Sequence, residues 1–281
     1  MANLRMLFPE GKAKALTLSY DDGVEQDKKL IEILNQYGLK ATFNLNSGCY
    51  AKEGTTYPAG TIHRRMSRSE VTSTYKNSGH EVAVHGLTHP GLDQLPEGLA
   101  AYEIVEDRKN LEQQFGTIVR GMAYPYGSYS NRVVDTLKNA GIAYARTVET
   151  THNYSIPNDW LRLAATCHHN DPKLMELAKR FVEDKYPWTP YLFYLWGHSY
   201  EFEENDNWKV IEEFASYVGH REDIWYATNI QVHDYVEAYR RLQVSYDSFM
   251  VKNPTSETIW MKINDQIIIV KPGETIQLAK E

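Results

Sequence analysis

Short apolar runs alternate with amphipathic stretches through most of this chain, and few architectures accept that rhythm. Residues 15–20 read as a strand. Residues 25–37 read as a helix, with Leu30, Ile33, Leu34 and Tyr37 on one face and Gly38 as its stop. Further strands are expected at 41–46, 81–86, 119–124, 143–148, 161–166, 191–198 and 224–228. Helices are expected at 67–78, 96–115, 130–140, 171–183, 207–218 and from 228 to about 242. Ser67 with Glu70 three residues later has capping-box spacing, and Asp171-Pro172 suits a cap followed by the first helical position. Strand–helix repeats of this length predict a parallel α/β architecture, and this many units favour a closed or distorted barrel over an open sheet. In such barrels chemistry gathers at the C-terminal ends of the strands.

The C-terminal stretch breaks the pattern. Residues 258–263 and 266–270 read as two strands joined by an Asn264-Asp265 turn, and Pro272-Gly273 follows as a second turn. The chain therefore divides into a barrel over residues 1–246 and a small C-terminal β appendage over residues 247–281, whose simplest role is to pack on the barrel.

Composition excludes several classes. Of the 281 residues 42% are apolar, enough for a full core, and a net charge of −7 argues against a nucleic-acid surface. No run approaches the ~20 apolar residues that span a bilayer. The two cysteines, Cys49 and Cys167, follow no ligand or disulfide pattern. The first residues lack the apolar core of a secretion signal, so a cytoplasmic protein is the default reading, or a secreted one if a leader has been removed. The 20 Tyr and 6 Trp serve packing, with room for some to line a carbohydrate cleft.

Polar residues fall where the barrel rule places chemistry. Asp21 and Asp22 follow the first strand; taken alone, Asp-Asp-Gly is also good turn chemistry. His85 ends the strand at 81–86, His89 lies in the loop after it, and His198 ends the apolar strand at 191–198. Gly86 and Pro90 disfavour a helix between the two histidines, so a turn is expected. Two His and one carboxylate with open positions form a catalytic rather than a structural metal site.

Ser19-Tyr20-Asp21-Asp22-Gly23 resembles the T-F-D-D-G motif of polysaccharide deacetylases, the NodB-like carbohydrate esterase family 4. Residues 79–90, from Gly79-His80-Glu81-Val82 to His85-Gly86-Leu87-Thr88-His89-Pro90, resemble that family's G-H-E-[IV]-x-x-H-[ST]-x-x-H motif. Ala123-Tyr124-Pro125-Tyr126-Gly127 resembles R-x-P-[YF]-G, and residues 192–198 resemble the late strand ending in a histidine. The resemblance implies a distorted (β/α) barrel of NodB-like type. It implies that Asp22, His85 and His89 bind a divalent metal, zinc first, with cobalt, nickel or manganese as alternatives. It implies Asp21 as the base that activates water, His198 as the acid that protonates the leaving amine, and the Tyr126 backbone N–H as an oxyanion donor. The implied partner is an acetylated saccharide; Tyr124, Pro125, Trp160, Trp196 and His152 are the candidates to line its site.

Two positions depart from the pattern. Gly86 stands where a Ser or Thr normally braces the metal loop, and Ala123 where an Arg normally pairs with the base. Asp21 thus lacks its expected partner, which marks a divergent branch. An O-acetyl esterase, an allantoinase-like cyclic amide hydrolase and a non-catalytic carbohydrate-binding protein stay open beside N-deacetylation. His168-His169 is a weaker candidate for a second metal cluster.

Overall fold

The computed structural model describes residues 4–185, 187–263 and 266–278; the Asn264-Asp265 turn lies outside the described residues. Ten strands precede the C-terminal segment: β1 Arg5–Leu7, β2 Lys14–Asp21, β3 Ala41–Leu45, β4 Glu81–Val84, β5 Gly121–Ala123, β6 Tyr144–Thr150, β7 Leu163–Ala165, β8 Cys167–His168, β9 Tyr191–Gly197 and β10 Ile224–Tyr226. The helices are α1 Asp27–Gln36, α2 Arg68–Tyr75, α3 Glu97–Phe115, α4 Asn131–Asn139, α5 Leu174–Glu183, α6 Tyr200–Glu204, α7 Lys209–Val218 and α8 Asn229–Arg240. The chain closes with β11 Gln243–Val244, β12 Met250–Lys252, β13 Ile259–Ile263, β14 Gln266–Val270 and β15 Thr275–Gln277.

The fold is the expected α/β class. The central sheet runs β7-β6-β5-β4-β3-β2-β9-β8, with every pair parallel. Strand β2 is buried along its whole length, as its unbroken apolar run demands when both faces are covered. It pairs with β9 along one edge, and on the other with β10 beside its first half and β3 beside its second. The two ends of the order are one run of chain. Leu163–Ala165 pairs β6, Cys167–His168 pairs β9, and Thr166 between them donates its N–H to the Tyr194 carbonyl (2.8 Å) while accepting from His152 (3.0 Å). The single strand expected at 161–166 is therefore two short ones, because the chain changes partner at Thr166.

The capping box at Ser67–Glu70 is present, and Ser130 caps α4. At Asp171 the expectation fails: α5 begins three residues later, since Asp171 accepts the Lys173 N–H (2.8 Å) in a turn of its own. The C-terminal hairpin β13–β14 is antiparallel as expected, but β1, which was too short to read from sequence, adds a third strand to it. Tyr235 of α8 ties the two regions, donating to the Leu7 carbonyl (2.6 Å) and accepting the Trp260 N–H (3.0 Å). Among the described residues no helix is long and apolar enough to cross a membrane.

Candidate active site

The strand ends bring the candidates together. Asp21 closes β2, and the Asp22 N–H donates to the Asn44 carbonyl (3.0 Å), ending the ladder with β3. His85 follows β4 and donates its N–H to the Leu45 carbonyl (3.0 Å). His198 follows β9. Asp22, His89 and Tyr126 all have positive φ (87°, 60° and 58°). Each such residue costs of order 1–3 kcal/mol and persists only where its surroundings impose it.

Asp22, His85 and His89 offer ligand atoms within 4.8 Å of one another. His85 Nδ1 donates to the Ala123 carbonyl (2.8 Å), which leaves the lone pair on Nε2, facing the cluster. His89 Nε2 stands 3.2 Å from His85 Nε2. Two nitrogens held at about 2.0–2.1 Å from a tetrahedral zinc stand roughly 3.3–3.4 Å apart, so the imidazoles already have ligand spacing. Asp22 Oδ1 is 3.7 Å from His89 Nε2 and 3.9 Å from His85 Nε2, a few tenths of an ångström wider. Burial keeps His85 below the usual imidazole range and lowers His89 to about 4, so both are neutral at physiological pH, the form that binds a cation. Burial opposes ionisation of Asp22. The hydrogen bond from His63 (3.1 Å) and the charge of Arg65 (2.9 Å) outweigh it and hold the carboxyl well below its usual range. The residues present thus fit a divalent ion.

Asp21 has a partner that the sequence did not show. Arg146 Nη2 donates to Asp21 Oδ2, and Asn44 Nδ2 donates to Oδ1 (2.8 Å). Arg146 and Asp21 are 1% and 2% exposed, so this is a buried ion pair. Arg146 lies on β6 directly opposite Ala123 of β5. The arginine missing at 123 is replaced from the adjacent strand, and the expectation that Asp21 lacks a partner is corrected. Burial raises the Asp21 carboxyl, but Arg146 reverses the effect and keeps it ionised. Arg120, nearer in sequence, instead pairs with Asp234 of α8.

His198 Nε2 lies 3.7 Å from Asp21 Oδ2, across from His85 Nε2 at 3.8 Å. Its Nδ1 meets Glu201 Oε1 (3.2 Å). Burial alone would lower His198; Glu201 and the two aspartates outweigh it and raise the imidazole above its ordinary value. Glu201 Oε2 also faces His168 Nε2 (3.2 Å) and His169 Nε2 (2.9 Å). His168, His198 and Glu201 have ligand spacing too. However, the Asn170 N–H donates to His168 Nδ1 (3.1 Å), so the His168 proton sits on Nε2 and points at Glu201. This second triad is a hydrogen-bond cluster around one carboxylate.

The remaining candidates scatter. Tyr126 is 73% exposed, with its ring edge-on to His89 at 4.5 Å. Tyr124 is buried, bonded to the Leu161 carbonyl (2.8 Å) and stacked on Tyr129; Pro125 is buried beside Gly86. Trp196 lies under the Arg146 guanidinium (4.2 Å), supporting the Asp21 pair rather than forming an open wall. Trp160 turns away to α8, donating to Glu237 (2.7 Å) and packing on His233. His152 is on the rim, paired with Asp171 (2.6 Å). The loop that Gly86 leaves without a hydroxyl is braced otherwise. Asn46 Nδ2 donates to the His85 and Gly86 carbonyls (2.5 and 2.7 Å), and Glu103 takes the Thr88 N–H and hydroxyl (2.7 Å each).

Sequence reading missed Arg146, Glu201, Asn46, His63 and Arg65. A charged residue inside an otherwise apolar strand start is the signal that could have raised Arg146. The i, i+3 spacing of His198, just before the short helix α6, and Glu201 within it is the one local signal for Glu201.

Residues 9–145 match the family model for polysaccharide deacetylases. This segment resembles the polysaccharide deacetylase family. It contains the Asp21–Asp22 and His85–His89 pairs but stops one residue short of Arg146. A chitooligosaccharide deacetylase of Sinorhizobium fredii is 28% identical over 153 residues, 53% of this chain and 61% of that protein. Chitin deacetylase 1 of Cryptococcus neoformans is 28% identical over 149 residues, covering 51% of this chain and 28% of that protein. The alignments therefore leave a large part of each relative unmatched. The crystal structure of a candidate polysaccharide deacetylase from Mycobacterium smegmatis superposes with a TM-score of 0.60 at 17% identity, covering 85% of this chain and 96% of that one, and shows the shared fold.

Proposed function

We propose that this chain is a metal-dependent deacetylase that removes acetyl groups from an N-acetylated saccharide. The observation that carries the reading is the position of Asp21, whose Oδ2 lies between His85 Nε2 of the metal set (3.8 Å) and His198 Nε2 (3.7 Å). An ionised carboxylate and a proton-bearing imidazole thus flank one point beside the cation-binding cluster.

Asp22, His85 and His89 would hold the ion, zinc first. When bound, a divalent ion supplies Lewis-acid activation of water and of the acetyl carbonyl. Asp21, kept ionised by Arg146, takes the proton from the attacking water. The water oxygen bonds to the acetyl carbon, and the Tyr126 backbone N–H helps hold the carbonyl oxygen as it gains charge. His198, oriented by Glu201 through Nδ1, delivers a proton from Nε2 to the amine nitrogen as the C–N bond breaks. Acetate and a free amino sugar result. Two rings flank this point: Tyr126 over His89, and Tyr200 between His63 (4.8 Å) and His198 (5.3 Å). In this reading both rings pack on the sugar. The names of the curated relatives favour the N-acetyl amide over an acetyl ester. In this reading residues 1–246 form the catalytic body and residues 247–281 an appended β unit.

The test is acetate release from N-acetylated chitooligosaccharides by zinc-loaded protein, with acetylated xylan and a cyclic ureide run alongside. Release from the oligosaccharides, lost in Asp22→Ala together with bound metal, is the expected outcome. Turnover of the ureide alone would overturn the reading.

A further inference from the structure

The segment between β3 and α2 lies alongside the first metal-ligand turn. The Glu25 N–H donates to the Arg64 carbonyl (2.8 Å), the Met66 N–H to the Gly23 carbonyl (3.1 Å) and the Ala51 N–H to the Met66 carbonyl (3.0 Å). This fixes the backbone of Arg65 beside Asp22, and only 16% of its side chain is exposed. The guanidinium then makes three bonds with its two terminal nitrogens. Nη2 donates to Asp22 Oδ1 (2.9 Å), and Nη1 donates to the Asp22 carbonyl and to Asn46 Oδ1 (2.7 Å). Asn46 directs its amide protons to the carbonyls of His85 (2.5 Å) and Gly86 (2.7 Å). An unbroken chain of bonds therefore runs from Asp22 through Arg65 and Asn46 to the turn that carries His85.

Both turns need such a tie. Asp22 is a non-glycine residue at φ 87°, and Gly86 sits at φ 77° with no side chain of its own to brace the loop. Glu103 and Asp107 fasten the second turn to α3, and the Arg65–Asn46 chain ties it to the Asp22 turn. A fixed fork of donors matches one carboxylate oxygen, one carbonyl and one amide oxygen at once; a lysine keeps the charge but is a point donor and cannot span all three.

We propose that Arg65, acting through Asn46, is the positioning residue that joins the Asp22 turn to the His85 turn and sets how tightly the centre holds a divalent ion. The inference rests on the reading that Asp22, His85 and His89 bind that ion. Arg65 itself donates no ligand. It orients the Asp22 carboxylate and holds the second turn at ligand distance before the ion arrives. Hydrogen-bond partners of metal ligands typically change affinity about 10–100-fold when removed.

The experiment compares whole protein stripped by chelation: wild type, Arg65→Lys, Arg65→Ala and Asn46→Ala. Zinc affinity is measured by competition with a chromophoric chelator, and the visible spectrum of the cobalt-substituted protein reports ligand geometry. The expected result is zinc binding weakened about 10–100-fold in all three variants, with an altered cobalt spectrum in Arg65→Lys. Melting of the stripped proteins identifies any variant that fails to fold, and Arg65→Lys, which keeps charge and bulk, then decides. Arg65→Lys binding zinc as tightly as wild type, with the same cobalt spectrum, overturns the proposal. Wild-type protein that holds no divalent ion would remove the metal reading, and this inference with it.

Discussion

Arg146 fills the place beside Asp21 that the motif resemblance assigns to position 123. Ala123 and Arg146 face each other across β5 and β6, and in a parallel pair such neighbours project to the same side of the sheet. An arginine on either strand therefore reaches the space beside Asp21. Removing one partner of a buried ion pair typically costs 3–5 kcal/mol, because the other charge is left uncompensated. Arg146→Ala is expected to lose about that much stability in denaturant unfolding and to lose acetate release. The double variant Ala123→Arg/Arg146→Ala should recover part of both; a double variant worse than the single would show that the two positions are not equivalent. His198→Ala is expected to lower kcat about 10²–10⁴-fold while bound zinc, measured by elemental analysis, is unchanged. Loss of zinc in that variant would place His198 in the wrong role. Asp21, Asp22, His85, His89 and His198 were legible because each lies in a short run whose residue types and spacing carry meaning. Arg146 was not, since lateral register between strands is a tertiary fact. Glu201 was hidden for a different reason: Tyr200-Glu201-Phe202-Glu203-Glu204 reads as either a solvated loop or a cleft rim, and only the fold buries Phe202 and turns Glu201 to three histidines.

At the scale of elements, strand and helix periodicity placed nearly every element of the α/β region, with ends shifted by a few residues. The failures have local causes. Asp171 satisfies a turn before it can cap α5, and Thr166 divides one strand between two partners. Packing at the end of β9 also bears on the surroundings of His198 and Glu201. A Cβ on Gly197 would lie 2.1 Å from His169 Nδ1, and His169 is fully buried between Tyr20 and Phe202. Gly197→Ala must therefore displace the imidazole that supports Glu201. A destabilisation of about 1–3 kcal/mol is expected from overpacking, with a lower kcat and normal zinc content. Unchanged melting and turnover would show that His169 has room to shift. At α2, Ser67→Ala removes half of a capping box and is expected to cost about 0.5–2 kcal/mol in thermal or denaturant unfolding.

Over the whole molecule, a parallel sheet that returns on itself collects the C-terminal ends of β2, β4, β5 and β9 around one centre, with two carboxylates, two neutral imidazoles and one raised histidine. The alternation of strands and helices predicted that convergence. It did not predict that β1 would join the C-terminal hairpin, because three residues are too short to show a period. Two arginines, the mostly buried Arg65 and the fully buried Arg146, each offset one of the aspartates. Zinc at 100 times its dissociation constant should then stabilise the folded chain by about 2.7 kcal/mol, seen as a rise in melting temperature that a chelator reverses. The most direct measurement is paired assay of acetate and free amine from an N-acetylated chitooligosaccharide, using zinc-loaded wild type and Asp21→Ala. The account predicts one amine per acetate in the wild type and near-complete loss of both in a variant that still binds zinc. Folded, zinc-loaded wild type that releases neither product, or Asp21→Ala that releases both at the wild-type rate, would contradict it.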